Sequence, residues 1–373
     1  QLGSDRAAYY PSLDLNANAA RTKQSALGGQ FDYQLTSYGP ELNLLYLLFD
    51  LGGRAADAES SRLALLAADW THTSVVQDVI LGVQQTYVEY LNARAQLEAA
   101  RTSLTQAETT LEAARSRREA GVATIADVLQ AQTAMSQEQL AVDRLSGRVL
   151  ALRGALATAM GLPATTPYDV GELPAELPLD FASKTVEELI AQAQAARPDL
   201  AAVRLQAERA DVRIRSVRAD GLPSLIAAAD ASRTYYDPST FASYGDSWSA
   251  RLALRIPLFT GFETKYNVQK AKQEAAVAAA QADTLEQPVI LQVWTSYYGL
   301  QTATQLVKTS RDLLASAEQS ERVASGRYRE GVGTIIDLLA AQAALADARA
   351  EEILARSSWF YALAQLARDV GVA

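Results

Sequence analysis

The sequence predicts an α+β fold built from two similar halves, each with a pair of β-strands and a long helical hairpin. A stretch of thirteen residues occurs twice, as Arg117–Leu129 and as Arg327–Leu339, and the flanking segments keep the same spacing of 210 residues. Long alanine-rich segments surround both copies, and shorter segments between them are typical of β-strands. Self-similarity of this kind indicates one architecture used twice.

The first half is predicted to span residues 1–161 and the second half residues 197–373, with a linker at 162–196 that contains a short helix. Arg6–Ser12 matches Arg218–Ser224. A helix-like segment precedes this match in the second half, but the first half has no counterpart. We therefore expect the chain to begin inside a longer precursor, so that a signal peptide or a lipid-bearing residue would precede Gln1.

Strands are expected at about residues 11–20 and 38–49 in the first half, separated by a polar loop. Leu13 and Leu15 alternate with Asp14 and Asn16, and a period of two is the pattern of a strand with two different faces. In the second half, strands are expected at about residues 223–236 and 246–258. The last of these alternates cleanly, and one of its faces suits lipid while the other suits water.

Two helical hairpins are predicted, at residues 54–160 with a tip at 117–127, and at residues 263–370 with a tip at 327–337. A further helix is expected at residues 198–220. The first helix of the first hairpin has about 64 residues and a length of about 96 Å at 1.5 Å per residue. A helix of this length does not fit inside a compact globule, but small side chains along it allow close packing with neighbouring helices.

The repeated stretch has the chemistry of a tight turn between two helices. Gly121 and Gly331 can adopt the left-handed conformation that ends a helix. Thr124 and Thr334 can each accept a hydrogen bond from the first turn of the next helix, and an acidic residue three positions later completes a capping box. Asp127 and Asp337 are these acidic residues.

Composition excludes several classes of function. The net charge of −9 argues against binding to nucleic acid, which requires a basic face. Cysteine is absent and His72 is the one histidine, so thiol catalysis and thiolate or imidazole metal clusters are excluded. No nucleophile, base and orienting group recur together. We therefore predict no catalytic site, no metal and no cofactor.

The four strands are predicted to lie in a membrane, and several chains must share one barrel. Four strands cannot close a barrel, and an open edge in lipid would leave backbone groups without partners. The alternative is an ordinary soluble sheet with aromatic side chains in its core. Aromatic residues lie near the strand ends and loops, where an interfacial girdle is expected: Tyr9, Tyr10, Tyr33, Tyr38, Tyr46, Phe49, Tyr235, Tyr236, Phe241, Tyr244, Trp248 and Phe259.

Three spaced motifs carry a resemblance to a known family. They are the duplicated tip with its continuation, Arg327–Gln342, the strand-to-helix junction Pro257–Gly261, and the helix start Arg197–Leu200. Together they resemble the TolC-like outer-membrane efflux family over essentially the whole chain. The resemblance implies a homotrimer with a twelve-stranded β-barrel in the outer membrane of a Gram-negative bacterium and a twelve-helix α-barrel in the periplasm. It also implies a role in tripartite efflux or type I secretion.

The resemblance also implies functions for the tip residues. In the family, acidic and hydrogen-bonding residues hold the periplasmic entrance closed, and the matching positions are Asp127, Asp337, Arg327, Tyr328 and Arg329. The tips also meet a periplasmic adaptor protein, at positions that correspond to Gly121, Val122, Ala123, Thr124, Gly331, Val332, Gly333 and Thr334. A second acidic ring found in some members is absent, because Gln130 and Ala340 occupy those positions. The alternative is that both aspartates only cap helices and that the arginines are solvated.

The leading hypothesis is therefore a passive outer-membrane channel with outer-membrane lipid around it. Its expected partners are a periplasmic adaptor and an inner-membrane transporter of the RND, ABC or MFS class. The alternative is a periplasmic coiled-coil adaptor or scaffold protein without a pore, in which the strands form a soluble domain.

Overall fold

The computed structural model describes residues 2–26, 31–172, 174, 177, 184–237 and 243–372. Phe241 lies outside these residues, and the side chain of Tyr33 is likewise not described. In chain order the described elements are α1 Leu2–Ala7, β1 Ser12–Ala26, β2 Phe31–Phe49, α2 Gly53–Glu119, α3 Ile125–Ala159, α4 Val186–Ala196, α5 Pro198–Ala219, β3 Ser224–Asp237, β4 Tyr244–Arg255, α6 Glu263–Arg329 and α7 Ile335–Val370.

The chain forms two compact units. One consists of Gln1–Thr71 and Asp199–Leu285 and contains the sheet. The other consists of His72–Pro198 and Glu286–Ala373 and contains both helical tips. Each unit takes residues from both predicted halves of the chain, so the division into two repeats stays a prediction.

The sheet of the first unit is antiparallel with the order β1-β2-β3-β4, so β1 and β4 are its edges. Residues that pair across the sheet share a face. One such row is Leu15, Leu42, Ala231 and Trp248, and the next is Leu13, Leu44, Ala229 and Ala250. On the opposite face, a row consists of Asp14, Asn43, Asp230 and Ser249. The sheet therefore has one apolar face and one polar face, as the alternation predicts.

The strands of the first half are longer than the sequence indicates. The predicted strands at 11–20 and 38–49 are observed as Ser12–Ala26 and Phe31–Phe49, so most of the predicted polar loop is paired strand. Between Arg21 and Thr36, polar residues occupy both faces, and this removes the alternation by which a strand is recognised. In the second half, β4 is Tyr244–Arg255 rather than 246–258, and it ends before Pro257, which has no N–H to donate to the ladder.

The helices agree closely with the predicted hairpins. The first helix of each hairpin, α2 or α6, has 67 residues, and α6 continues through Pro288. Helix α4 begins after Thr185, which forms a capping box with Glu188. The short helix α1 was not predicted, because six residues are too few to show a helical period. None of the helices in the described part of the chain is both long and apolar enough to cross a bilayer.

Candidate functional site

The two long helices α2 and α6 end in the same way, on a glycine in the left-handed conformation. The φ angles of Gly121 and Gly331 are 76° and 79°. The N–H of Val122 donates to the carbonyl of Arg117 at 2.9 Å, and the N–H of Val332 donates to the carbonyl of Arg327 at 3.0 Å. These bonds satisfy the last carbonyls of each helix. The tips therefore have a defined backbone rather than a loose loop.

Both return helices begin with a complete capping box. The Thr124 hydroxyl accepts from the N–H of Asp127 at 3.2 Å, and the Asp127 carboxylate accepts from the N–H of Thr124 at 2.7 Å. Thr334 and Asp337 form the same pair, at 3.2 Å and 3.3 Å. The predicted capping roles of the two aspartates are confirmed.

The environment of the two aspartates differs. Asp337 is exposed, whereas Asp127 is half-buried. Hydrogen bonds from Thr334, with a smaller contribution from the Arg327 guanidinium, lower the pKa of Asp337 below its ordinary value of 3.8. The carboxylate of Asp337 is therefore ionised at neutral pH and adds negative charge at the start of α7, where the helix dipole favours it.

We expect the first turn of α7 to loosen in acid. The lowered pKa of Asp337 means that its carboxylate stabilises the folded tip at neutral pH, and this stabilisation is lost as pH falls through the lowered pKa. Mobility can be read from a spin label on the exposed Ile336→Cys position, since the chain has no other cysteine. Asp337→Asn should raise the mobility at pH 7, and the difference from the parent should shrink as pH falls below the ordinary value of 3.8 and disappear below the lowered pKa of Asp337. Glu330→Gln, on the same tip, should leave the mobility unchanged.

A small apolar core holds the two tips together. Tyr328, at the end of α6, is 7% exposed and packs with residues of α2, α3 and α7. The other buried members of this cluster are Leu111, Ala114, Val128, Ala131, Ile335 and Leu338. Burial raises the pKa of the Tyr328 phenol. The aromatic ring of Tyr328 therefore belongs to the interior of the tip.

Arg117 joins the first tip to the second, and it was not among the residues predicted for the gate. Its Nη1 donates to the backbone carbonyl of Tyr328 at 2.7 Å, and its guanidinium lies 4.9 Å from the centre of the Tyr328 ring. Arg327 and Arg329, which were predicted as donors, are exposed. The repeat contained a signal for Arg117, because Arg117 occupies the same position in the first copy as Arg327 in the second.

The remaining tip residues form an outer surface. Val122 and Val332 are 65% and 70% exposed, so both side chains are accessible to a partner. Gly333 lies close to the preceding helix, since a Cβ there would be 3.0 Å from the Cβ of Arg327 and 3.1 Å from the nitrogen of Tyr328. The predicted adaptor-contacting residues thus lie together at the ends of the two hairpins.

The family model described as "Outer membrane efflux protein" matches residues 1–162 and 189–372. The chain belongs to the outer membrane efflux protein family. This outer membrane efflux protein is a transport protein of the Gram-negative outer membrane with a periplasmic part. The assignment favours the predicted channel over the scaffold without a pore.

This outer membrane efflux protein is similar to two curated relatives, and each match extends over most of both proteins. Protein CyaE of Bordetella pertussis is 28% identical over 359 residues, which is 95% of this chain and 74% of that protein. The toluene efflux pump outer membrane protein TtgF of Pseudomonas putida is 26% identical over 353 residues, which is 91% of this chain and 70% of that protein.

Solved structures share the fold of this outer membrane efflux protein. The outer membrane protein VceC of Vibrio cholerae has a TM-score of 0.84 and 21% identity, covering 99% of this chain and 89% of that chain. The outer-membrane channel OprN has a TM-score of 0.86 and 19% identity, covering 100% of this chain and 84% of that chain. The predicted fold class is confirmed.

Proposed function

We propose that three copies of this chain form one passive exit duct, which serves a tripartite efflux pump or a type I secretion system. A periplasmic adaptor and an inner-membrane transporter of the RND, ABC or MFS class would complete the assembly. The observation that carries this proposal is a sheet with an apolar outer face and two open edges, β1 and β4. The name of the relative TtgF, an efflux pump outer membrane protein, supports the efflux role.

The open edges require neighbours. In lipid, each unpaired N–H or C=O along an edge costs several kcal/mol, so a four-stranded sheet is not stable there alone. If β4 of one chain pairs with β1 of the next, the contact is head-to-tail and closes into a ring. Three chains contribute twelve strands, which is within the range of known barrels.

Disulfide cross-linking tests the arrangement, because the chain has no cysteine of its own. Ala17→Cys on β1 is combined in turn with cysteine at Asp246, Trp248 or Ala250 on β4, and in each pair both residues lie on the apolar face of the sheet. Oxidation in membranes should give dimers and trimers of this chain and nothing larger. A ladder beyond three chains, or no cross-link in any pair, would overturn the proposal. Each single-cysteine variant is the control, since head-to-tail contact never brings β1 to β1.

The hairpin tips are proposed to be both the gate and the docking site. Arg117 and Tyr328 hold the two hairpins of one chain together through the 2.7 Å hydrogen bond, and this contact must break if one hairpin moves away from the other. The Asp127 and Asp337 carboxylates lie at the same tips and would line a narrow entrance, where negative side chains favour cations. The exposed Val122 and Val332 offer the adaptor an apolar contact with little steric hindrance from the adjacent glycines.

A further inference from the structure

The polar face of the sheet has charges of opposite sign at its two edges. Residues on this face recur at every second position along each strand. In the described strands, five of them are charged: Asp14, Glu41, Asp230, Arg251 and Arg255. Asp14 is on the edge strand β1, whereas Arg251 and Arg255 are on the other edge strand, β4. On this face, the β1 edge is therefore acidic and the β4 edge is basic.

The acidic residues of the two inner strands have partners within the chain. Oε2 of Glu41 accepts a hydrogen bond from Nδ2 of Asn18 at 3.0 Å. The Asp230 carboxylate accepts a hydrogen bond from the Ser249 hydroxyl at 2.6 Å. Asp230 is also a diagonal neighbour of Arg251 across the ladder, but no ion pair joins these two side chains in the described part of the chain.

The charged residues of the two edges differ from these inner residues. Asp14 faces Asn43 across the ladder and Arg251 faces Ala228, and both charged side chains are exposed. Both lie away from the hairpin end of the sheet, where β1 joins β2 and β3 joins β4. Within the residues that the structure describes, neither side chain forms a hydrogen bond or an ion pair. Each is therefore available to a strand that lies beside its edge.

We propose that Arg251 forms an ion pair with Asp14 of the next copy of this chain, across the seam where β4 meets β1. The inference rests on the proposed function, in which three copies close one barrel, and it names a contact that joins them. The polar face of the sheet then lines the barrel, so the ion pair lies on the inner side of each seam. Arginine is suited to this contact because its planar group can donate two hydrogen bonds to one carboxylate.

The geometry of an antiparallel seam allows this contact in several registers. The three cross-linking pairs correspond to three registers, in which Asp14 faces one of three successive polar-face residues on β4 of the adjacent copy: Ser249, Arg251 or Ala253. Arg251 is directly opposite Asp14 in one register and diagonal to it in the other two. Opposite Cβ atoms are about 4.5–5.5 Å apart and diagonal ones about 7–8 Å, which long side chains can span. The ion pair is therefore possible in all three registers.

The signs of the charges also favour the pairing that closes a ring. Opposite charges across a ladder stabilise it, whereas like charges directly opposite each other destabilise it. Two β1 edges would bring one Asp14 toward another, and two β4 edges would bring arginines together. Pairing of β4 with β1 is the head-to-tail arrangement that can close into a ring. The charges of the polar face therefore select this arrangement over the two alternatives.

A double-mutant cycle tests the ion pair. The full chain is extracted from membranes as the trimer, and the rate of its dissociation to monomers in SDS at a fixed temperature is followed by gel electrophoresis. Asp14→Asn should raise this rate about tenfold to a hundredfold, because each of the three seams loses an ion pair worth about twofold to fivefold. Arg251→Gln should have the same effect. The double variant should dissociate no faster than either single variant.

Glu41→Gln is the matched control, since Glu41 is an acidic residue on the same face of the inner strand β2. Its effect should add to that of Arg251→Gln. In a second measurement, Asp14→Lys combined with Arg251→Glu should dissociate more slowly than either reversal alone, because the pair is restored with its charges exchanged.

Two results would overturn the proposal. One is that Asp14→Asn and Arg251→Gln have no effect or have effects that simply add. The other is that the reversed pair dissociates as fast as the single reversals. Failure of the proposed function would appear separately, as absence of the trimer in the cross-linking experiment.

Discussion

Replacing Arg117 with alanine is expected to open the tips and to raise the single-channel conductance several-fold in planar bilayers. The substitution removes the 2.7 Å hydrogen bond to the Tyr328 carbonyl and the contact with the Tyr328 ring. A hydrogen bond from a charged donor contributes about 1.5–3 kcal/mol. Loss of that amount shifts the equilibrium between closed and open tips by about tenfold to a hundredfold.

Neighbouring substitutions separate this role from a general effect of charge. Arg118→Ala removes the same charge from the next residue of α2, but Arg118 is exposed, so the conductance should stay at the parent value. Tyr328→Phe should also be silent, because the Tyr328 hydroxyl has no hydrogen-bond partner among the described residues and the carbonyl is the acceptor. If Arg117→Ala and Arg118→Ala gave the same conductance, Arg117 would have no part in the gate.

The local chemistry of the tips was predictable from sequence, whereas the contact between them was not. Gly121, Thr124 and Asp127 act on neighbours within a few residues, so their spacing alone indicates a helix end followed by a capping box. Arg117 donates to a backbone carbonyl 211 residues away. Every residue has a backbone carbonyl, so the sequence does not indicate which one is the acceptor. The one signal for Arg117 was that it occupies the same position in the first copy as Arg327 in the second. This signal becomes informative once the two hairpins are known to be in contact.

The same distinction explains the strands. The middle of each strand could be recognised from sequence, because apolar residues such as Leu13, Leu42 and Leu252 recur at every second position along their own strands. Toward the hairpin end, pairing continues through Arg21 and Thr36 although both faces have become polar. Backbone hydrogen bonds hold this part of the ladder, and they do not depend on side-chain type.

An arginine in place of Ala250 is expected to prevent stable insertion into the outer membrane. Ala250 lies on the apolar face of β4, midway between Tyr244 and Ile256, in the row with Leu13, Leu44 and Ala229. A lipid-facing arginine near the middle of a membrane barrel costs about 2–4 kcal/mol per chain, and a shared barrel would bear this cost once for each chain. The free energy of unfolding in urea and the amount of protein in the outer-membrane fraction should both fall.

Ser249→Arg is the matched control, since it adds the same side chain one residue earlier on β4. Ser249 is on the polar face, where its hydroxyl donates to the Asp230 carboxylate at 2.6 Å. A guanidinium at this position would face water and could pair with Asp230, so both measurements should stay close to the parent values. Equal tolerance of arginine at Ala250 and at Ser249 would contradict the assignment of this face to lipid.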